Sequence, residues 1–166
     1  IDNSNIILKI NYPLKFEEYV IKYSNEYKLD PYLVWALIKA ESGFNPEAIS
    51  SKNARGLMQI SENTAIEGAQ KLKMDKFKVE DLFDPEVNIR LGCWYFRWLL
   101  DQFNNNVDLA IAAYNGGIGN VTNWLKDKSL SSNGHTLDKI PFEETDKFHK
   151  RVKDNYAVYR NIYAGE

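Results

Sequence analysis

The chain is short of several things, and each shortage narrows its chemistry. Its 166 residues hold one cysteine, Cys93, so no internal disulfide can staple the fold. That cysteine stands in the aromatic run CWYFRW, where a small buried core residue is expected rather than a reactive thiol. The 2 histidines, His135 and His149, fall in separate segments with no HExxH, CxxC or carboxylate cluster beside them, so no metal and no cofactor are expected. The formal net charge is only -2, which gives no basic field to attract nucleic acid or a membrane surface. No apolar run approaches membrane-spanning length and no signal-peptide pattern is visible. The opening IDNSN has no initiator methionine, as expected of a mature or trimmed chain. Internal repeats and low-complexity tracts are absent, and so is a Ser/His/Asp constellation. The glycine-rich GGIGN follows a helix pattern rather than a strand, which argues against a phosphate loop.

What is present is helix punctuation. In DPYLVWALIKAESG, Asp30 is a candidate N-cap, Pro31 suits the first turn and Gly43 stops the helix. DPEVNIRLGCWYFRWLLDQF repeats the device with Asp84 and Pro85, and Val87, Leu91, Trp94, Tyr95, Trp98 and Leu99 recur at helical spacing. VDLAIAAYNGG predicts a short helix ended by Gly116 and Gly117, and NVTNWLKD another. A polar arm over residues 1–11 is expected to lead into an amphipathic helix over 12–27. A long helix over about 143–163 closes the chain, after the loop SLSSNGHTLDKIP. The charge run KLKMDKFKVED reads as a solvated helix end and loop. Strand signals are weak, with only SSKNARGLMQIS suited to a short extended piece or hairpin. The expected fold is one mainly α domain over 1–166, with at most a small β element.

One residue fits that frame poorly. Val34, Leu37, Ile38 and Glu41 share a helix face by the i, i+3, i+4, i+7 rule, and that face is core-directed. Burial and the negative end of the helix dipole both disfavour an ionised carboxylate at Glu41. Its pKa is therefore expected to rise. A carboxylic acid kept protonated near neutral pH can protonate a poor leaving group such as a glycosidic oxygen. Periodicity alone leaves a second reading open, in which Glu41, in the last turn, bends out to solvent.

The surrounding blocks bear on that choice. ESGFNPEAIS, GLMQIS, AAYNGGIGNV, IPFEET and RVKDNYAVY, in this order, resemble the soluble lytic transglycosylase family, over about residues 12–163. YPLKFEEYV and FDPEVNIRLGCWYF look most like single-domain versions from Gram-positive bacteria. The resemblance implies a lysozyme-like α or α+β catalytic domain that cleaves peptidoglycan glycan strands outside the cytoplasm, at the cell wall. It implies no nucleic-acid partner and no membrane insertion of this stretch. A monomer is expected, with cell-wall, secretion or conjugation machinery as further partners. By motif, Glu41 would be the acid and base, Ser50 would belong to the active-site wall, and Met58 and Gln59 would line the glycan groove. In AYNGG, Ala113, Tyr114 and Asn115 match, with Tyr114 beside the acid and backbone groups holding an N-acetyl side chain. In the ET motif, Glu144 is expected at the groove floor. Phe148 departs from the pattern, since the family usually has tyrosine there, and His149 stands where valine is common. A hydroxyl is thus missing near the acid, and Tyr114 is the nearest remaining phenol. Three functions stay open: a lytic transglycosylase, a hydrolytic muramidase similar to goose-type lysozyme with the same acid, and a non-catalytic peptidoglycan-binding module.

Overall fold

The computed structural model describes residues 3–165. Among them run eight α-helices: α1 (Asn3–Asn11), α2 (Glu17–Glu26), α3 (Pro31–Ser42), α4 (Glu62–Lys71), α5 (Pro85–Gln102), α6 (Val107–Gly116), α7 (Ile118–Lys126) and α8 (Glu143–Tyr163). A 3-10 turn over Val79–Phe83 leads into α5. The β content of the described residues is two isolated antiparallel bridges, Ile49 with Arg55 and Arg55 with Ile60. The fold is thus mainly α, as the helix punctuation predicts. No helix among the described residues is long and apolar enough to cross a membrane.

The Asp-Pro starts work as read. Asp30 accepts from the Tyr32 amide at 2.9 Å, and Asp84 accepts from the Val87 amide at 3.1 Å. At the other end of α3, Gly43 takes a left-handed φ of 58° and returns its N–H to the Lys39 carbonyl. Two expectations near the N-terminus fail. Residues 3–11 of the supposed polar arm are helical (residues 1 and 2 lie outside the described region), although α1 buries no side chain. The helix expected over 12–27 begins only at Glu17. Pro13 pushes its predecessor away from helical geometry, and Phe16 enters α2 from a φ of 57°. The helix end read in the charge run belongs to α4, which closes at Lys71, but its start is not among the sequence expectations. Ser61 caps it, accepting from the Thr64 amide.

The central pair is α3 against α8, with α6 also on α8, and α2 and α6 on α5. Because α5 meets neighbours on more than one side, its buried set is wider than the read stripe. Ile89, Cys93, Phe96 and Leu100 are buried, whereas Trp98 is 38% exposed. Much of the aromatic content holds the frame. Tyr159 and Tyr163 on α8 donate to the carbonyls of Pro13 and Tyr12, and the Trp35 indole donates to the Lys15 carbonyl. These bonds pin the connection that α2 does not cover.

The loop between α3 and α4 is held by one buried amide. Asn88 on α5 donates to the Arg55 and Leu82 carbonyls at 2.8 and 2.9 Å and accepts from the Met58 amide at 2.7 Å. Gly56 is required beside it. Its φ is 78°, and a Cβ there would sit 2.2 Å from the Asn88 amide nitrogen. Asn88→Ala removes the buried partner of the Met58 amide and of the Leu82 carbonyl, while the Arg55 carbonyl keeps the Ile60 amide at 3.0 Å, and an unpaired buried group costs about 1–3 kcal/mol. Urea unfolding of this variant is expected to show a loss of about 3 kcal/mol. A loss below about 0.5 kcal/mol, the usual surface-substitution range, would mean the loop does not depend on this side chain.

Candidate active site

A cleft of about 250 Å³ opens between the end of α3, the 50–61 loop, the start of α4, the middle of α5, the end of α6 and the start of α8. Glu41, Ser50, Gln59, Tyr114, Asn115 and Glu144 line it, and so do Lys52, Thr64 and Tyr95. Glu41 is half-buried in the last helical turn of α3, while Val34, Leu37 and Ile38 on the same face are fully buried. Glu41 lines the cleft, with its carboxyl largely desolvated by burial. Its pKa rises from 4.5 to about 8, with burial the leading cause. The Arg151 guanidinium opposes the rise, and the negative charge of Glu144 adds to it.

The other predicted positions are less uniform. Ser50 lines the cleft, but its hydroxyl braces its own loop, accepting from the amides of Lys52 at 3.2 Å and Ala54 at 3.1 Å. Gln59 also lines the cleft. Its side-chain amide donates to the Ala48 and Gly56 carbonyls at 3.1 and 2.9 Å, and its φ of 52° is left-handed. Together these bonds set the loop that carries the cleft wall.

Met58 does not line the cleft. It is fully buried, and its sulfur packs so closely on Gly92 of α5 that a Cβ there would approach it to 2.3 Å. The side chain is a wedge between loop and helix, and its contribution to the site is a carbonyl. The Tyr114 phenol donates to that carbonyl at 2.5 Å. Ala113 likewise is fully buried and belongs to the core of α6. Glu144 is in the lining, but its side chain is 71% exposed, with a loose ion pair to Lys52 at 3.8 Å. It stands at the mouth rather than on the floor, because it occupies the first turn of α8, where the helix emerges into solvent. Asn115 accepts from the Thr145 hydroxyl at 2.8 Å, which ties the end of α6 to α8.

Phe148 is buried with its ring stacked parallel to Tyr114, centroids 6.4 Å apart. No phenol is offered from that position. Tyr114, packed also against Tyr95 and Phe96, has its own pKa raised well above the ordinary value by burial and by the nearby charge of Glu41. It is a neutral donor over the whole physiological range. Reading the sequence missed Tyr95 and Thr64 as lining residues, and it missed Arg151 as the counter-charge to the acid. Tyr95 lay inside the apolar stripe of α5, where a phenol gives no signal of facing a cavity. Arg151 opens the RVKDNYAVY block, but nothing in its spacing points back to α3.

The raised pKa carries a stability cost of known sign. Below 4.5 both folded and unfolded chains hold the Glu41 proton. Between 4.5 and about 8 only the folded chain holds it, so stability falls as pH rises through that window and levels off above it. Glu41→Gln, a mimic of the neutral acid, escapes the cost. Its Tm is expected to match the wild type near pH 4.5 and to exceed it by about 4 °C or more at pH 8.5. Equal Tm differences at both pH values would show that the acid is not desolvated.

Comparison with known proteins gives a consistent result. The chain is 31% identical to the soluble lytic murein transglycosylase of Salmonella typhimurium, over 93% of this chain and 24% of that one. It is 35% identical to the membrane-bound lytic murein transglycosylase C of Edwardsiella ictaluri, over 89% of this chain and 47% of that one. Among solved structures, an inactive glutamate-to-glutamine mutant of the lytic transglycosylase Slt from Pseudomonas aeruginosa superposes with a TM-score of 0.83 at 33% identity, over 93% of this chain and 25% of that one. A 70-kDa soluble lytic transglycosylase in complex with bulgecin A gives 0.86 at 31% identity, over 96% of this chain and 26% of that one. The chain therefore spans about a quarter of the length of the soluble relatives it matches. The family model described as the transglycosylase SLT domain matches residues 18–135, well over half of the chain, and the chain belongs to that family.

Proposed function

We propose that the domain is a peptidoglycan lytic transglycosylase with Glu41 as its acid and then its base. The observation that carries this reading is a carboxyl in a cleft wall whose pKa is raised to about 8, so that it holds its proton at neutral pH. The other carboxylate of the cleft lining, Glu144, is exposed at the mouth and paired with Lys52, which suits it poorly to a second catalytic role. Most glycosidases use two carboxylates, and the substrate-assisted ones use one. The 2-acetamido group of N-acetylmuramic acid can take the second part.

The reaction follows from these groups. Glu41 gives its proton to the oxygen that links C1 of N-acetylmuramic acid to N-acetylglucosamine, and the C1–O bond breaks. The acetamido oxygen stabilises C1. Glu41, now a carboxylate, removes the proton from the C6 hydroxyl of the same muramyl sugar, and that oxygen bonds to C1 to close a 1,6-anhydro ring. Glu41 ends protonated and no water is consumed. Attack within one sugar has a high effective molarity, which favours it over attack by water. In this reading Ser50, Gln59, Tyr114, Asn115 and Glu144 contact the glycan, while Met58 and Ala113 support it through backbone and packing. The substrate is the cell wall, so the domain acts outside the cytoplasm, as a monomer. The names of its relatives, soluble and membrane-bound lytic murein transglycosylases, support the substrate class.

Mass spectrometry of muropeptides released from purified peptidoglycan tests the proposal. The wild type is expected to yield anhydro-muramyl ends, and Glu41→Gln at least about a hundredfold fewer, as for loss of a general acid. Reducing muramyl ends from the wild type would replace C6-hydroxyl attack with hydrolysis. Unchanged turnover in Glu41→Gln would remove the acid itself.

A further inference from the structure

A second hollow, lined by Lys52, Asn115, Gly116, Asn120, Phe142 and Glu144 among others, opens off the mouth of the cleft. The two share Lys52, Asn115 and Glu144, so Lys52 stands on the boundary between them. The charged residues in the combined lining are Glu41, Lys52, Glu143 and Glu144. Among the described lining residues Lys52 is the one cation, set among carboxylates. Its pairing with Glu144 is loose, at 3.8 Å with the side chains 80% and 71% exposed, and such a pair contributes little and opens readily.

The proposed substrate is an anion. The muramyl sugar whose C1 lies at Glu41 carries its lactyl arm on C3, two carbons round the ring. A site for that arm must therefore open directly off the cleft that holds C1. The arm bears a carboxylate, either its own when the strand lacks peptide or that of a stem peptide. Glu143 is paired with Lys147 at 2.8 Å, so without Lys52 the unpaired Glu144 would be the charge that repels it.

We propose that Lys52 is the receptor for a carboxylate carried on the lactyl arm of the muramyl residue, and that the second hollow takes the arm. The assignment rests on peptidoglycan being the substrate. Lys52 exchanges Glu144 for the substrate carboxylate on binding, and the specificity of the cleft depends on the charge of the arm. Glu144, released from its cation, also faces Glu41 with its charge less neutralised, which favours the protonated acid while substrate is bound.

Binding, rather than turnover, tests this. Titration calorimetry is done in the Glu41→Gln background with three soluble strand preparations: peptide-free strands with free lactyl carboxylates, strands that retain stem peptides, and peptide-free strands whose lactyl carboxylates are converted to methylamides. Adding Lys52→Met is expected to weaken binding of carboxylate-bearing strands about fivefold, the size of one partly exposed ion pair. It should leave the methylamide strands unchanged, and Lys52→Arg should restore the loss. A loss confined to peptide-free strands identifies the lactyl carboxylate as the partner, and one confined to peptide-bearing strands identifies a stem carboxylate. Equal weakening on all three preparations, or none, overturns the assignment. The two readings fail separately. Charge-selective binding by a wild type that releases no product keeps the role of Lys52 and removes the reaction, whereas anhydro products with charge-blind binding do the reverse.

Discussion

A carboxylic acid is held half out of water at the end of α3, and the rest of the molecule is arranged around that placement. The face of α3 that carries Glu41 also carries Val34, Leu37 and Ile38, all fully buried, so the helix cannot turn to release the acid without exposing its core. Gly43 then ends the helix in a left-handed turn and sends the chain back across the cleft. On the far side, Arg151 of α8 lowers the proton affinity of Glu41 and Glu144 raises it, but burial outweighs the first. The result is a group that is acidic enough to donate near neutral pH and basic enough, once ionised, to take a proton back.

The opposite wall is built indirectly. Several groups in the matched motifs never reach the cavity, and they act on its shape. Asn88 holds the backbone of the 55–58 turn, Met58 wedges that turn against Gly92, and the Met58 carbonyl receives the Tyr114 phenol. Gln59 spends its side-chain amide on the Ala48 and Gly56 carbonyls. A chain of hydrogen bonds, buried or partly buried, thus runs from α5 through the loop to α6, and it fixes the wall opposite an acid that itself costs stability. Phe148 fits this pattern, since its ring supports Tyr114 by stacking where a phenol would have added another polar group.

Much of this was legible in the residues, for reasons that can be named. Helices α3, α5 and α6 carry side-chain caps, and α3 and α6 end at glycine, signals that act locally and so can be read locally. Glu41 stood out because a carboxylate on an apolar face conflicts with its neighbours. Helix α1 was illegible because it buries nothing, and periodicity reports burial rather than helicity. Met58 and Glu144 share a motif block with lining residues, but motif membership does not say which way a side chain points. The close approach of Gly92 turned the first inward, and the emergence of α8 into solvent left the second at the mouth. Lys52 and Tyr95 join the acid in the cleft lining, and Arg151 acts on its charge, only through tertiary packing, which leaves no trace in local spacing.

The central claim, that burial keeps the Glu41 carboxyl protonated near neutral pH, is tested most directly by titrating that carboxyl. Carbon-13 NMR of glutamate labelled at the side-chain carboxyl, with Glu41 assigned by the signal missing from Glu41→Gln, reads it alone. A titration midpoint near 8 is the predicted result. A midpoint near 4.5, the ordinary value for a glutamate, would contradict the account, because an acid already ionised at neutral pH has no proton to give the glycosidic oxygen.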